Sequence, residues 1–365
     1  MSTRAFHDLG QSLWLDNITR DLLRTGTLRR YIEEWSVSGL TSNPTIFDHA
    51  IKNSGSYDDA IAAGLSRGET GEDLFLELAL EDLSKAAELF RPIHERTCGV
   101  DGFVSLEVSP LLAHDTTATI AEAKRLYERA QCSNLLIKIP GTPEGLPAIE
   151  EAIFAGVPIN VTLLFSADQY RAAANAFMRG IERRIDAGLK PDVASVASIF
   201  VSRWDVAIAD RAPPALRNKL GIAVAKNVYE AYLDLLSSPR WMRAYNAGAR
   251  PQRLLWASTG TKDPAAPDVL YVGALAAPFT VNTMPEATLK AIVDHGKIAM
   301  PLPRADGDNQ KLLAQFAEAG IDTRVLAAQL QADGARAFIE SWNDLMAVIA
   351  SKSATFQQGS RRHGP

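Results

Sequence analysis

The chain has 365 residues, 47% of them hydrophobic and 22% charged, which suits a globular fold with a sizeable core and excludes a disordered or fibrous chain. Lys and Arg number 38 against 43 Asp and Glu, and the resulting charge of −5 argues against a nucleic-acid surface as the main business. No apolar run nears the ~20 residues that span a bilayer. The two cysteines, Cys98 and Cys132, are too few for a disulfide framework, and the N-terminus has no apolar signal core. A cytoplasmic protein is expected.

Short segments rich in Val, Ile and Leu predict strands at 12–16, 36–41, 102–107, 134–139, 158–163, 195–201, 253–258 and 279–282. Amphipathic stretches lie between them. Residues 71–96 read as a long helix with a break, 121–130 as a helix led in by Thr116 and Thr117, and 167–185 as a helix started by Ser166. Eight strands each followed by helical sequence predict one parallel (β/α)8 TIM barrel over residues 1–350. The span 205–252, with room for two or three helices, is expected as a helical elaboration between strands 6 and 7. Residues 351–365 are polar, contain glycine and are expected to fray as a flexible tail. An open doubly wound sheet is the alternative, but no G-x-G-x-x-G fingerprint follows the first strand, and no phosphate loop occurs.

Polar residues interrupt the strands. Lys138 sits between Ile137 and Ile139, where desolvation disfavours its ammonium form. One reading is a lysine whose stem is buried and whose amine reaches water. The other is an amine made nucleophilic by burial, able to form a Schiff base with a carbonyl substrate and needing no metal or organic cofactor. Asp16, Asn43, Glu107, Asn160, Thr162, Ser198, Phe200, Arg203, Ser258 and Lys262 lie at the ends of the other strands. Asn160 and Thr162 are two apart and share a strand face. In a barrel these ends converge on one mouth, the face where barrel enzymes work. None of the six histidines lies in such a position or has metal-ligand spacing.

The strings Leu15-Asp-Asn, Gly39-Leu-Thr-Ser-Asn-Pro-Thr, Ser105-Leu-Glu-Val, Leu136-Ile-Lys-Ile-Pro-Gly-Thr-Pro-Glu-Gly, Ile159-Asn-Val-Thr-Leu-Leu-Phe-Ser, Trp256-Ala-Ser-Thr-Gly-Thr-Lys and Thr280-Val-Asn-Thr-Met-Pro together resemble transaldolase. The last but one resembles a separate subgroup of that family: a basic residue usual two positions after the serine is replaced by Gly260, with Lys262 two further on. The resemblance implies a class I aldolase barrel, circularly permuted relative to other members. It implies Lys138 as the Schiff-base lysine, Asp16 as acid/base, and Glu107 acting through a water held partly by Thr162. It further implies Asn43, Asn160, Ser198 and Phe200 around the three-carbon fragment, and Arg203, Ser258 and Lys262 on the phosphate. The expected activity moves a dihydroxyacetone unit from sedoheptulose 7-phosphate or fructose 6-phosphate to glyceraldehyde 3-phosphate or erythrose 4-phosphate. The alternatives are a fructose 6-phosphate aldolase, whose members carry Gln and Tyr where Glu107 and Phe200 stand, and a silent sugar-phosphate binder. Small sugar phosphates are the expected partners; nucleic acid and membranes are not, and the sequence leaves room for a homo-oligomer.

Overall fold

A computed structural model describes residues 2–298, 300–304 and 307–362. Eight parallel strands close into a barrel in chain order: β1 (Ser12–Asp16), β2 (Val37–Thr41), β3 (Val104–Glu107), β4 (Leu135–Pro140), β5 (Ile159–Leu164), β6 (Ser195–Phe200), β7 (Gln252–Ala257) and β8 (Val281–Met284). Helices cover the outside, so both faces of the sheet are buried, and the strands accordingly read as nearly continuous apolar runs. The expected (β/α)8 barrel is the observed fold.

Register decides which polar residues meet. Glu107 pairs with Lys138, Lys138 with Asn160, and Pro140 with Thr162. Residues that pair share a side of the sheet, so Glu107, Lys138 and Asn160 project inward as neighbours. One layer below, Trp14 fills the interior beside Gly39. A β-carbon at Gly39 would stand 2.5 Å from the indole, so no larger residue fits opposite that ring.

Helix starts follow the expected chemistry. The side chain of Asp115 accepts from the Ala118 N–H ahead of helix Thr116–Ala130. Ser166 and Gln169 form a reciprocal capping box on helix Ala167–Asp186. The 205–252 elaboration contains a short 3-10 turn (Pro214–Leu216) and helices Leu220–Leu236 and Pro239–Asn246.

Four expectations are corrected. Gly71–Arg96 is one unbroken helix, because Pro92 falls near its C-terminal end, where few backbone bonds remain to be lost. β8 begins two residues later than read: Phe279 has a left-handed φ of 59° and is 68% exposed, so this aromatic belongs to the turn. β7 ends at Ala257, before Ser258, whose φ is +54°. The segment from Ser351 continues a 40-residue helix, Thr323–Arg362, and Lys352 ties it down through the Ser54 carbonyl at 3.0 Å and Asp58 at 2.6 Å. Residues 363–365 of that tail lie outside the described residues.

Candidate active site

The C-terminal strand ends open into a cavity of about 130 Å³, with Lys138 at its base. Lys138 is 5% exposed, and its Nζ donates to the Ser42 carbonyl and to Glu107 Oε2, both at 3.0 Å. Burial pushes the Glu107 carboxyl upward and Asp16 adds to the rise, while Lys138 and Arg203 oppose it. Lysine and glutamate are thus a buried contact pair. Glu107 Oε1 and Thr162 Oγ1 are also buried, and neither finds a partner among the described residues.

Asp16 borders the same cavity. Its side chain keeps some contact with the opening yet is otherwise enclosed by protein, and this desolvation raises its pKa above the usual aspartate value. The hydrogen bond from Thr41 (2.7 Å to Oδ1) and the charges of Lys138 and Lys262 pull the other way. A carboxyl whose protonated form is favoured by burial is a suitable partner for proton exchange.

The carboxamides differ. Asn43 has extended backbone (φ −157°, ψ 168°), as expected before Pro44, and its Oδ1 accepts from the Ile46 N–H at 3.0 Å, capping helix Pro44–Lys52. The same residue lines the cavity. Asn160 sits in an internal chain: Ser198 donates to its Oδ1 at 2.7 Å, and its Nδ2 donates to Ser105 at 3.2 Å. This fixes the amide orientation and with it the position of Ser198.

Farther out are the cations. Arg203 stacks over Phe200, with its guanidinium carbon 5.0 Å from the ring centroid. Burial lowers its pKa, with Glu107 opposing, and an arginine remains charged all the same. Ser258, in its left-handed conformation, shares a 2.9 Å hydrogen bond with Ser202. Lys262 is exposed at the rim and borders both this cavity and a neighbouring one of about 460 Å³. The larger cavity offers less chemistry: its buried carboxylate, Asp205, is fully used by the N–H groups of Leu220 and Gly221 and the hydroxyl of Tyr271.

Every residue singled out from the sequence therefore borders this cavity or, for Glu107, bonds directly to Lys138. The sequence reading missed Thr41, which orients Asp16, and Ser105, which orients Asn160. It also missed Phe338, whose ring centroid lies 5.8 Å from both Lys138 Nζ and the Arg203 guanidinium carbon. A two-residue period on β2 and β3 contains the signal for Thr41 and Ser105. Phe338 belongs to the apolar stripe of a helix and carries no such signal. Among the described residues no group of three or more His, Cys, Asp or Glu is arranged to hold a metal ion, and no helix is long and apolar enough to cross a membrane.

Residues 13–349 match the family described as transaldolase/fructose-6-phosphate aldolase. The chain belongs to that family. It is 44% identical to a transaldolase of Arthrobacter sp. (strain FB24), over 98% of this chain and 99% of the relative. Identity to a transaldolase of Thiobacillus denitrificans is 44%, over 95% and 99%, and to transaldolase 2 of Nostoc sp. 38%, over 94% and 96%. The family match thus takes in all eight strands, from the second residue of β1 into the C-terminal helix Thr323–Arg362.

Proposed function

We propose that this transaldolase-type enzyme transfers a dihydroxyacetone unit between sugar phosphates through a Schiff base on Lys138. Lys138 attacks the C2 carbonyl of a ketose phosphate, sedoheptulose 7-phosphate or fructose 6-phosphate. Glu107 moves the protons that turn the carbinolamine into an imine with loss of water. The unpartnered, buried Glu107 Oε1 and Thr162 Oγ1 support a bridging water as carrier. Asp16 then takes the proton from the C4 hydroxyl, the C3–C4 bond breaks, and its electrons pass into the imine to give an enamine as the aldose phosphate leaves. On attack at glyceraldehyde 3-phosphate or erythrose 4-phosphate the same steps reverse, and Asp16 returns its proton to the new hydroxyl. Asn43, Asn160 and Ser198 orient the retained fragment. Arg203, with Ser258 and Lys262, binds the phosphate. The setting is cytoplasmic sugar-phosphate metabolism, in keeping with two unpaired cysteines.

The observation that carries this reading is a lysine only 5% exposed, its amine 3.0 Å from one carboxylate and its charge acting on a second. Phe200, bearing no hydroxyl, supports transfer over simple cleavage, since it brings no extra proton donor to the enamine. Borohydride reduction in the presence of fructose 6-phosphate, followed by peptide mass mapping, is expected to place the reduced adduct on Lys138 and to leave Lys138→Ala unlabelled. A label on another lysine rejects the assignment. Absence of any label favours a silent binder, and release of dihydroxyacetone without an acceptor at the rate of transfer favours the aldolase.

A further inference from the structure

Arg203 combines two properties that rarely coexist. It is largely enclosed, yet among the described residues it makes no hydrogen bond or ion pair through its five N–H groups. Arg20, another enclosed arginine, reaches Asp82 at 3.0 Å and Glu81 at 2.6 Å. Something other than hydrogen bonding must therefore fix the Arg203 fork.

The C-terminal helix Thr323–Arg362 supplies it. Gln331, Gly334 and Phe338 are spaced i, i+3 and i+7 and so share one face. Gln331 Nε2 donates to the carbonyls of Gly141 and Leu163, each at 2.9 Å. Leu163 stands in the irregular stretch of β5 with φ +59°, which turns its carbonyl toward the helix. Three residues on, the backbone of Gly334 passes so close that a β-carbon would lie 2.8 Å from Leu163 Cδ2 and 3.2 Å from Arg203 Nη1. A glycine inside a helix is disfavoured relative to alanine, and this close approach is its packing reason. One turn farther, the Phe338 ring meets the guanidinium that Phe200 already contacts.

We propose that Gly334 and Phe338 are positioning residues that hold the Arg203 guanidinium in one plane and leave its N–H edges free for the substrate phosphate. The proposal rests on the reading of Arg203 as a phosphate ligand. Aromatic contact holds a cation without occupying its donors. The fork is then ordered before substrate arrives, and binding does not have to freeze a long side chain.

The test compares half-saturating concentrations for borohydride-trapped adduct with fructose 6-phosphate and with dihydroxyacetone, which has no phosphate. Gly334→Ala should raise the ratio of the first to the second about tenfold, the scale of one lost cation–π contact. Phe338→Leu should raise it likewise, and Phe338→Tyr should restore it. In an Arg203→Ala background neither change should alter the ratio further. If Arg203→Ala raises the ratio and Gly334→Ala and Phe338→Leu do not, the positioning role is overturned and the phosphate reading of Arg203 stands. If Arg203→Ala itself leaves the ratio unchanged, the phosphate reading falls with it. An equal rise for both ligands marks the helix as structural support only and also overturns the proposal. Should Phe338→Leu fail to fold, Gly334→Ala decides alone.

Discussion

Two inward arginines, one at each end of the barrel, have opposite surroundings. At the floor, Arg253 donates to Ser12 at 2.7 Å, to the Thr280 carbonyl at 2.8 Å and to the Val100 carbonyl at 3.2 Å. Ser12 passes the interaction on to Asp101, which also receives the Trp14 indole N–H at 2.8 Å and the Gly102 N–H at 2.9 Å. At the mouth, Arg203 lies between two phenylalanine rings and gives its hydrogen bonds to no described group. Both side chains bear the cost of desolvation; the floor recovers most of it through the two Nη groups, with Arg253 Nε left unpaired among the described residues, and the mouth recovers none by hydrogen bonding. The floor is therefore built for stability and the mouth for a ligand that completes it, the division seen generally between the two ends of such barrels.

Substitutions at each end can break that division. The largest effect is expected from Asp16→Asn, which removes the proton carrier while keeping the shape. Transfer should slow by roughly 10²–10⁴-fold in steady-state assays while the borohydride adduct on Lys138 still forms. Unchanged turnover would reject the acid/base role. Next comes the floor. Arg253→Met leaves Ser12 and two carbonyls without their donor and should lower stability by about 2–4 kcal/mol in urea unfolding, with KM for fructose 6-phosphate unaltered. A changed KM with unchanged stability would erase the contrast between the ends.

The smallest effect concerns pH. Asp16 has a raised pKa, and Lys262 is among the charges that restrain the rise. Activity that needs ionised Asp16 is lost as pH falls through that pKa. Removing a positive charge favours the protonated acid, so Lys262→Met should move the acid limb of kcat/KM to higher pH. No shift would place Lys262 too far from Asp16 to matter, and a shift to lower pH would reject Asp16 as the group behind the acid limb.

How much of this was legible in the sequence follows from the periods involved. A strand alternates every two residues, so Asn160 with Thr162, or Lys138 between two isoleucines, announces an inward polar face without any knowledge of neighbours. The mouth was readable because each strand contributes its share locally. β8 was misplaced because Phe279 has the propensity of a strand residue, whereas a left-handed φ puts it in a turn. The dual use of Asn43, as helix cap and cavity wall, was hidden because only its extended backbone is encoded by the following proline. Gln331, Gly334 and Phe338 were illegible for a different reason. Their helix is amphipathic like any surface helix, and its bonds to Leu163 of β5 and to Gly141 just beyond β4 join segments nearly two hundred residues apart, |i−j| = 190 for the Gln331 bond to Gly141.

That separation has a consequence for synthesis. The ribosome makes all eight strands before it makes the helix that supplies Phe338 to the cleft. In that interval the cleft lacks Phe338, one of the side chains that line it, and stands more open to bulk water. The full lining of the cleft is assembled only when that helix docks.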